Sequence, residues 1–206
     1  MFKLVRSILA LSLILSASNA SAAVIVSTNT ADFNLTAEDF PLNGTGTVSM
    51  VSISGNMTVE AAIGVGDPAA GLAFYGVSGA SALTGPGYVM GGDENFDVTF
   101  SSQQNAFAMN YSDFSIASTF TLDFFDGVTN VGNTSFVTSS FNTAEFIGFI
   151  STVGFDRIEI REDDGANNSN EFFQFFTAEA VPAPGSLLIF GLGLVGLGCA
   201  RRHRRS

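Results

Sequence analysis

Apolar and polar residues alternate along most of the middle of this chain. The period of two is clearest in four runs, residues 96–100, 107–111, 120–124 and 158–160. Successive side chains of an extended strand point to opposite faces, so this pattern is typical of half-buried strands. Turn-forming pairs such as Asp126-Gly127 separate the runs. We predict an all-β domain, and the short strand spacing favours a jelly-roll-like β-sandwich. The Gly- and Ala-rich stretch 59–83 is expected to hold loops and weaker edge strands.

The first 22 residues have the composition of a secretory signal peptide. Lys3 and Arg6 give a positive start, residues 8–15 are apolar, and small residues follow. Ala20 and Ala22 each complete an A-x-A-like cleavage site, and we predict cleavage after Ala22. The order of charges disfavours a buried N-terminal helix, and the apolar run is about half of the ~20 residues that a spanning helix needs. The sequence therefore predicts export, with a mature domain over residues 23–180.

Residues 181–206 differ sharply in composition from the domain that precedes them. Their first four are Val181, Pro182, Ala183 and Pro184. The prolines predict a stiff junction, and an apolar Gly-rich run predicts a helix over residues 186–200. The 14-residue apolar run of this helix, residues 187–200, is about 21 Å long, which falls short of a bilayer core unless residues from Val181 join it. A basic tail, residues 201–206, follows with Arg201, Arg202, Arg204 and Arg205. Arginines at this position stay on the cytoplasmic side, so we predict one transmembrane helix.

In this order, the three C-terminal parts resemble the PEP-CTERM sorting signal. That family places a Val-Pro-Glu-Pro-type motif before a Gly/Leu-rich helix and an Arg cluster, and Ala183 stands at the Glu position here. The resemblance covers about the last 26 residues. It implies passage through the inner membrane of a Gram-negative-type bacterium, recognition by an exosortase-type processing enzyme, and removal or transfer of the tail. It further implies the cell envelope, outer surface or extracellular matrix as the destination, and an association with exopolysaccharide and biofilm. A plain membrane anchor is the alternative interpretation.

The domain between the two signals contains no histidine, cysteine or lysine. Residues 23–180 hold two basic residues, Arg157 and Arg161, against nineteen acidic ones, a formal charge of −17 without any lysine. Such a surface repels phosphate backbones, so we predict no nucleic-acid partner. His203 and Cys199 are the sole residues of their types and lie in the C-terminal segment. Catalysis by Ser-His-Asp or Cys-His is therefore excluded in the domain, as are histidine-ligated zinc sites. We predict no catalytic residues and no enzymatic activity.

One acidic segment, residues 162–171, is a candidate site for calcium, the single cofactor to which the sequence points. Its candidate ligands are Glu162, Asp163, Asp164, Asn167 and Glu171. Calcium takes oxygen ligands of these kinds, but Ile160 occupies the first EF-hand position, where a carboxylate is needed. The segment is not an EF-hand. Two interpretations stay open, an irregular calcium loop and a polar hairpin loop between strands at 157–161 and 172–177.

Three functions fit these observations to different degrees. The leading one is a non-enzymatic exported protein of the cell envelope or extracellular matrix, sorted by an exosortase and associated with polysaccharide. The alternative is a lectin-like carbohydrate-binding module, with or without calcium. A polysaccharide-acting enzyme is a minor alternative, because it needs two carboxyls about 5–10 Å apart. Asp123 and Glu159 are among the candidates, but their parity places them on the solvated faces of their strands.

Overall fold

The computed structural model describes residues 23–42, 46–62, 72–76, 83, 88–91, 95–112, 117–139, 143–162 and 172–181. In these ranges the chain forms eleven strands and one short 3₁₀ helix, Thr30–Asp32. The strands are β1 Val24–Ser27, β2 Phe33–Ala37, β3 Ser49–Val51, β4 Met57–Ala61, β5 Ala73–Gly76, β6 Tyr88–Gly91, β7 Phe96–Ser112, β8 Thr119–Asp126, β9 Thr129–Val137, β10 Glu145–Glu162 and β11 Phe172–Ala180. All named pairs of strands are antiparallel. The prediction of an all-β domain is confirmed.

Two long strands, β7 and β10, are shared by two halves of one continuous sheet. The first half-sheet has the order β3-β4-β7-β10-β8-β9 and uses the start of β7 and the end of β10. The second half-sheet has the order β11-β7-β10-β1 and uses the opposite ends of the same two strands. On the free side of β11, β2 pairs along residues 176–180, and β6 pairs at Phe173 and leads on to β5. The predicted runs 96–100 and 107–111 are thus parts of a single strand.

The two halves meet at bends in the shared strands. The register of β10 against β7 shifts between Ile150 and Phe155, and shifts again between Phe155 and Arg157. Irregularities of this kind add residues to one strand, bend it and increase its twist. The bends bring the inner faces of the two half-sheets together.

The space between the half-sheets is filled mainly by phenylalanine. Phe96 of the first half contacts Phe173 of the second edge-on, with ring centroids 5.2 Å apart. Phe124 and Phe149 also meet across the two halves, as a tilted pair with centroids 5.9 Å apart. These side chains have no solvent exposure, and each aromatic pair contributes about 0.5–1.5 kcal/mol beyond the burial of its area. The arrangement is two layers around one aromatic core, while the jelly-roll connectivity stays a prediction.

Strand β4 corrects the sequence prediction for the start of the stretch 59–83. It lies between β3 and β7 and pairs with both, so it is not an edge strand. Met57, Val59 and Ala61 alternate inward and are buried. The Gly- and Ala-rich composition of the longer window obscured this short alternation.

The connection from β1 to β2 crosses the outer face of the second half-sheet. β1 pairs with β10 on one side and β2 pairs with β11 on the other, so the link passes over β7. Small buried residues, Ala106, Ala108 and Ala178, lie beneath it and contact Phe33 in one apolar cluster. A Cβ atom at Gly148 would lie 2.3 Å from the Phe33 ring, so glycine is required for this approach. The crossing brings β2 to the C-terminal end of β11.

Candidate functional sites

Four acidic residues form a row across the outer face of the first half-sheet. Glu60, Asp97, Glu159 and Asp123 occupy directly opposed positions on β4, β7, β10 and β8. Their chain neighbours, such as Ile158, point into the core. Because side chains alternate along a strand, all four carboxylates project on the same outer side. Like charges directly opposed on a sheet destabilise it, so this acidic row needs positive partners.

The two arginines of the domain supply partners for the two middle members of the row, Asp97 and Glu159. Arg161 lies 2.6 Å from Asp97 (Nη2 to Oδ1) and 3.6 Å from Glu159 (Nη2 to Oε2). Arg157 forms an ion pair with Glu159, and its Nη1 lies 3.8 Å from Oδ2 of Asp97. The Arg157 guanidinium also stacks on the ring of Phe125, 4.1 Å from its centroid. The four paired side chains are about a quarter exposed, so their charges are only partly screened by water.

A shallow depression lies beside the acidic row, between β8 and β9. It has a volume of about 460 Å³ and is lined by Thr121, Leu122, Asp123, Asn133, Thr134 and Ser135. Within it, Asp123 accepts a hydrogen bond from the Asn130 amide at 2.8 Å (Nδ2 to Oδ1). The lining presents hydroxyl, amide and carboxylate groups, which can donate to and accept from a polar ligand. Asp123 and Glu159 do meet, as register partners, but on this open face and with Glu159 engaged by arginine.

Of the predicted calcium ligands, Glu162 lies in the described residues. It is buried at the end of β10, and its backbone N–H donates to the Asn95 side chain at 3.1 Å. Asp163, Asp164, Asn167 and Glu171 lie outside the described residues. Within the described part of the chain, no group of three His, Cys, Asp or Glu side chains is placed to hold a metal ion. The alternative of a hairpin loop is wrong, because residues 157–161 pair with β7 and β8 and not with β11.

A buried carboxylate, Glu38, was missed by the sequence analysis. It is 2% exposed and follows β2. Its side chain accepts hydrogen bonds from Thr177 at 3.0 Å, from Asn56 at 3.3 Å and from the Ser54 hydroxyl. Buried charge is tolerated where several donors satisfy it. Glu38 therefore ties the turn between β3 and β4, in which Gly55 has a φ of +75°, to β11.

A second polar cluster closes one end of the core. The Tyr111 hydroxyl bonds to Glu145, and Glu145 also accepts from the Ser139 hydroxyl at 2.7 Å and from the Ser139 backbone N–H at 3.1 Å. Burial, reinforced by the hydrogen bond and the negative charge of Glu145, raises the pKa of Tyr111 above its ordinary value. Tyr111 is therefore a neutral donor at neutral pH. The alternation over residues 107–111 placed Tyr111 on the buried face of its strand, but no sequence pattern pointed to its hydrogen bond with Glu145.

The C-terminal end of the domain is joined directly to the N-terminal strands. Ala180, the last residue of β11, lies opposite Phe33 at the start of β2. The next residue, Val181, donates its backbone N–H to the carbonyl of Asp32 at 2.8 Å. Val181 is thus the first residue of the predicted sorting segment and is still hydrogen-bonded to the folded domain.

The other predicted sorting and processing residues lie outside the described residues. They are Ala20, Ala22, Pro182, Ala183, Pro184, Arg201, Arg202, Arg204 and Arg205, together with the predicted helix over 186–200. No helical segment in the described part of the chain has the length and apolar character needed to cross a bilayer.

Comparison with known families bears on this same segment. Residues 180–205 match the family model of the PEP-CTERM protein-sorting motif. No curated protein sequence and no solved structure matches the chain. The family match covers the predicted motif, the apolar run and the basic tail up to residue 205, and it includes Ala180 and Val181 at the end of β11.

Proposed function

This chain carries a PEP-CTERM sorting motif, which marks it for export and recognition by an exosortase, and from this premise we propose a non-enzymatic role in the cell envelope or matrix. In this proposal the exosortase cleaves or transfers the C-terminal segment, and the β-domain remains at the cell surface or in the extracellular matrix with polysaccharide. The match at residues 180–205 is the observation that carries the proposal.

The composition of the domain supports a role without catalysis. Residues 23–180 contain neither histidine nor cysteine. In the acidic row, Asp97 and Glu159 pair with arginines on an open surface. The four carboxylates of this row therefore do not form an enclosed pair of the kind that gives one carboxyl an acid role and the other a base role. The strong negative charge of the domain favours its solubility after release from the membrane.

Replacing Arg201, Arg202, Arg204 and Arg205 together by serine should prevent maturation. Without the positive tail, the segment loses its stop-transfer signal and its placement in the membrane. In a host that makes an exosortase, we expect the unprocessed form to accumulate and most of the mature form to disappear. Mass spectrometry of the C-terminus and immunoblots of cell fractions measure both.

The matched control replaces the same four arginines by lysine. This variant keeps the charge and should mature normally. Normal maturation of the serine variant would exclude sorting through this tail.

A second candidate function is carbohydrate binding, which the depression between β8 and β9 favours. Its lining of hydroxyl, amide and carboxylate groups suits sugar hydroxyls. In a glycan array, we expect Asp123→Ala to weaken binding, whereas Asp126→Ala at the exposed end of β8 should not. Repeating the array with a chelator separates calcium-dependent from calcium-independent binding. Absence of binding in both conditions would rule this candidate out.

A further inference from the structure

The sorting motif begins inside the folded sheet. Its first two matched residues are Ala180 and Val181. Ala180 is paired with Phe33, and Val181 is hydrogen-bonded to Asp32. The described structure therefore contains no spacer between the domain and the start of the motif.

Strand β2, which pairs with Ala180, is itself firmly anchored to the domain. β2 pairs with β11 at five successive positions, from Phe176 opposite Ala37 to Ala180 opposite Phe33. The Phe33 ring packs on Gly148 and contacts Phe146 edge-on, with centroids 5.7 Å apart. These contacts fix the start of β2 on β10, and so fix the position of the carbonyl that binds Val181.

The residue before β2 is held by local hydrogen bonds. The Asp32 carboxylate accepts from the Ser27 hydroxyl at 2.5 Å and from the Asn29 amide at 3.4 Å. The Asp32 backbone N–H donates to the Asn29 carbonyl at 3.1 Å. The turn is therefore ordered, and its carbonyl is presented to the end of β11.

Enzymes that read an extended peptide commonly bind its backbone N–H and C=O groups as an added strand. In this domain residues 176–180 already pair with β2 along one side, and the Val181 N–H already bonds to Asp32 just before β2. We propose that β2 is a fold-dependent clamp on the sorting motif, which holds Ala180 and Val181 in the sheet and thereby slows processing. Pairing of β2 with β11 joins the two ends of the domain, so the clamp forms only when the whole domain has been exported and folded. This inference rests on the proposed exosortase processing.

The direct test inserts a flexible four-residue glycine–serine linker between Glu179 and Ala180. The insertion leaves the matched residues 180–205 intact but moves Ala180 and Val181 away from β2. In a pulse-chase experiment with the full chain in an exosortase-bearing host, we expect conversion to the mature form to become severalfold faster. The control places the same linker after Gly127, in the turn between β8 and β9 beside the 96% exposed Val128. An unchanged or slower conversion with the first linker, relative to this control, would overturn the clamp.

A second pair of variants tests the clamp by single substitutions that leave the sequence of the motif unchanged. A Cβ at Gly148 would meet the Phe33 ring at 2.3 Å, whereas a Cβ at Gly154 would meet the exposed Gln103 side chain at 2.5 Å. Gly148→Ala should displace Phe33, loosen β2 and speed processing, while Gly154→Ala on the same strand should not. Circular dichroism and limited proteolysis of both variants show whether the rest of the domain is folded. Equal processing rates in two folded variants would contradict the proposal.

The serine variant of the basic tail separates failure of the clamp from failure of the proposed function. If that variant matures like the parent, exosortase sorting through the tail is wrong, and with it the clamp. If maturation depends on the tail but neither the linker nor Gly148→Ala changes its rate, the proposed function stands and the clamp is wrong.

Discussion

Replacing Phe124 by alanine should lower the free energy of unfolding by about 3–5 kcal/mol. Phe124 is fully buried on β8, in the first half-sheet. Its ring contacts Phe155 with centroids 5.0 Å apart and Phe149 with centroids 5.9 Å apart. The substitution removes buried apolar area from the core and leaves a cavity where the two half-sheets meet. The free-energy costs of these two effects add.

Urea unfolding of the exported protein, followed by circular dichroism, measures this change. The control is Val137→Ala, which removes an apolar side chain that is 62% exposed on β9. We expect this control to change the stability by no more than about 0.5 kcal/mol. Similar effects of the two substitutions would mean that the aromatic core does not join the half-sheets as described.

Replacing Arg157 and Arg161 together by alanine should lower the free energy of unfolding by about 2–3 kcal/mol. The variant loses the ion pairs with Asp97 and Glu159 and the stacking on Phe125. It also loses the bonds from Arg161 Nη1 to the carbonyls of Phe96 and Ile160, both 2.9 Å long. What remains on this face is a row of opposed carboxylates, which repel one another.

Two comparisons isolate the electrostatic part of this loss. Adding Glu159→Gln to the double variant removes the carboxylate in the middle of the row, and we expect part of the stability to return. Raising the salt concentration should reduce the difference between the double variant and the parent, because exposed charges are screened. A double variant as stable as the parent at low salt would show that the row needs no cationic partners.

The strands were predictable because their signal is local. Alternation at residues 96–100 or 120–124 follows from one face of a strand being buried, and that can be read without knowing its neighbours. Which strands pair, and in what register, depends on residues far apart in the chain. A shift of one residue in register would move Glu159 away from Asp97 and Asp123. The acidic row therefore could not be found, although the polar parity of Asp123 and Glu159 was recognised.

The buried polar clusters were invisible for a related reason. Glu38 gains its donors from the β3–β4 turn and from Thr177, which lies 139 residues away. Tyr111 gains Glu145 only because β7 and β10 are register partners at that point. The sorting motif, in contrast, is contiguous and was predicted from its residues. Its attachment to β2 was not predicted, because that attachment joins opposite ends of the domain.

Because both half-sheets contain β7 and β10, these two strands also determine how the domain unfolds. Each of these strands runs through both half-sheets, and residues of both halves pack in one core, so we expect the two halves to unfold together as one cooperative unit. Local opening that exposes long cleavable segments is then rare compared with complete unfolding. After export, a protease would meet either an intact domain or a fully unfolded chain, and the lifetime of the exported protein would follow its global stability.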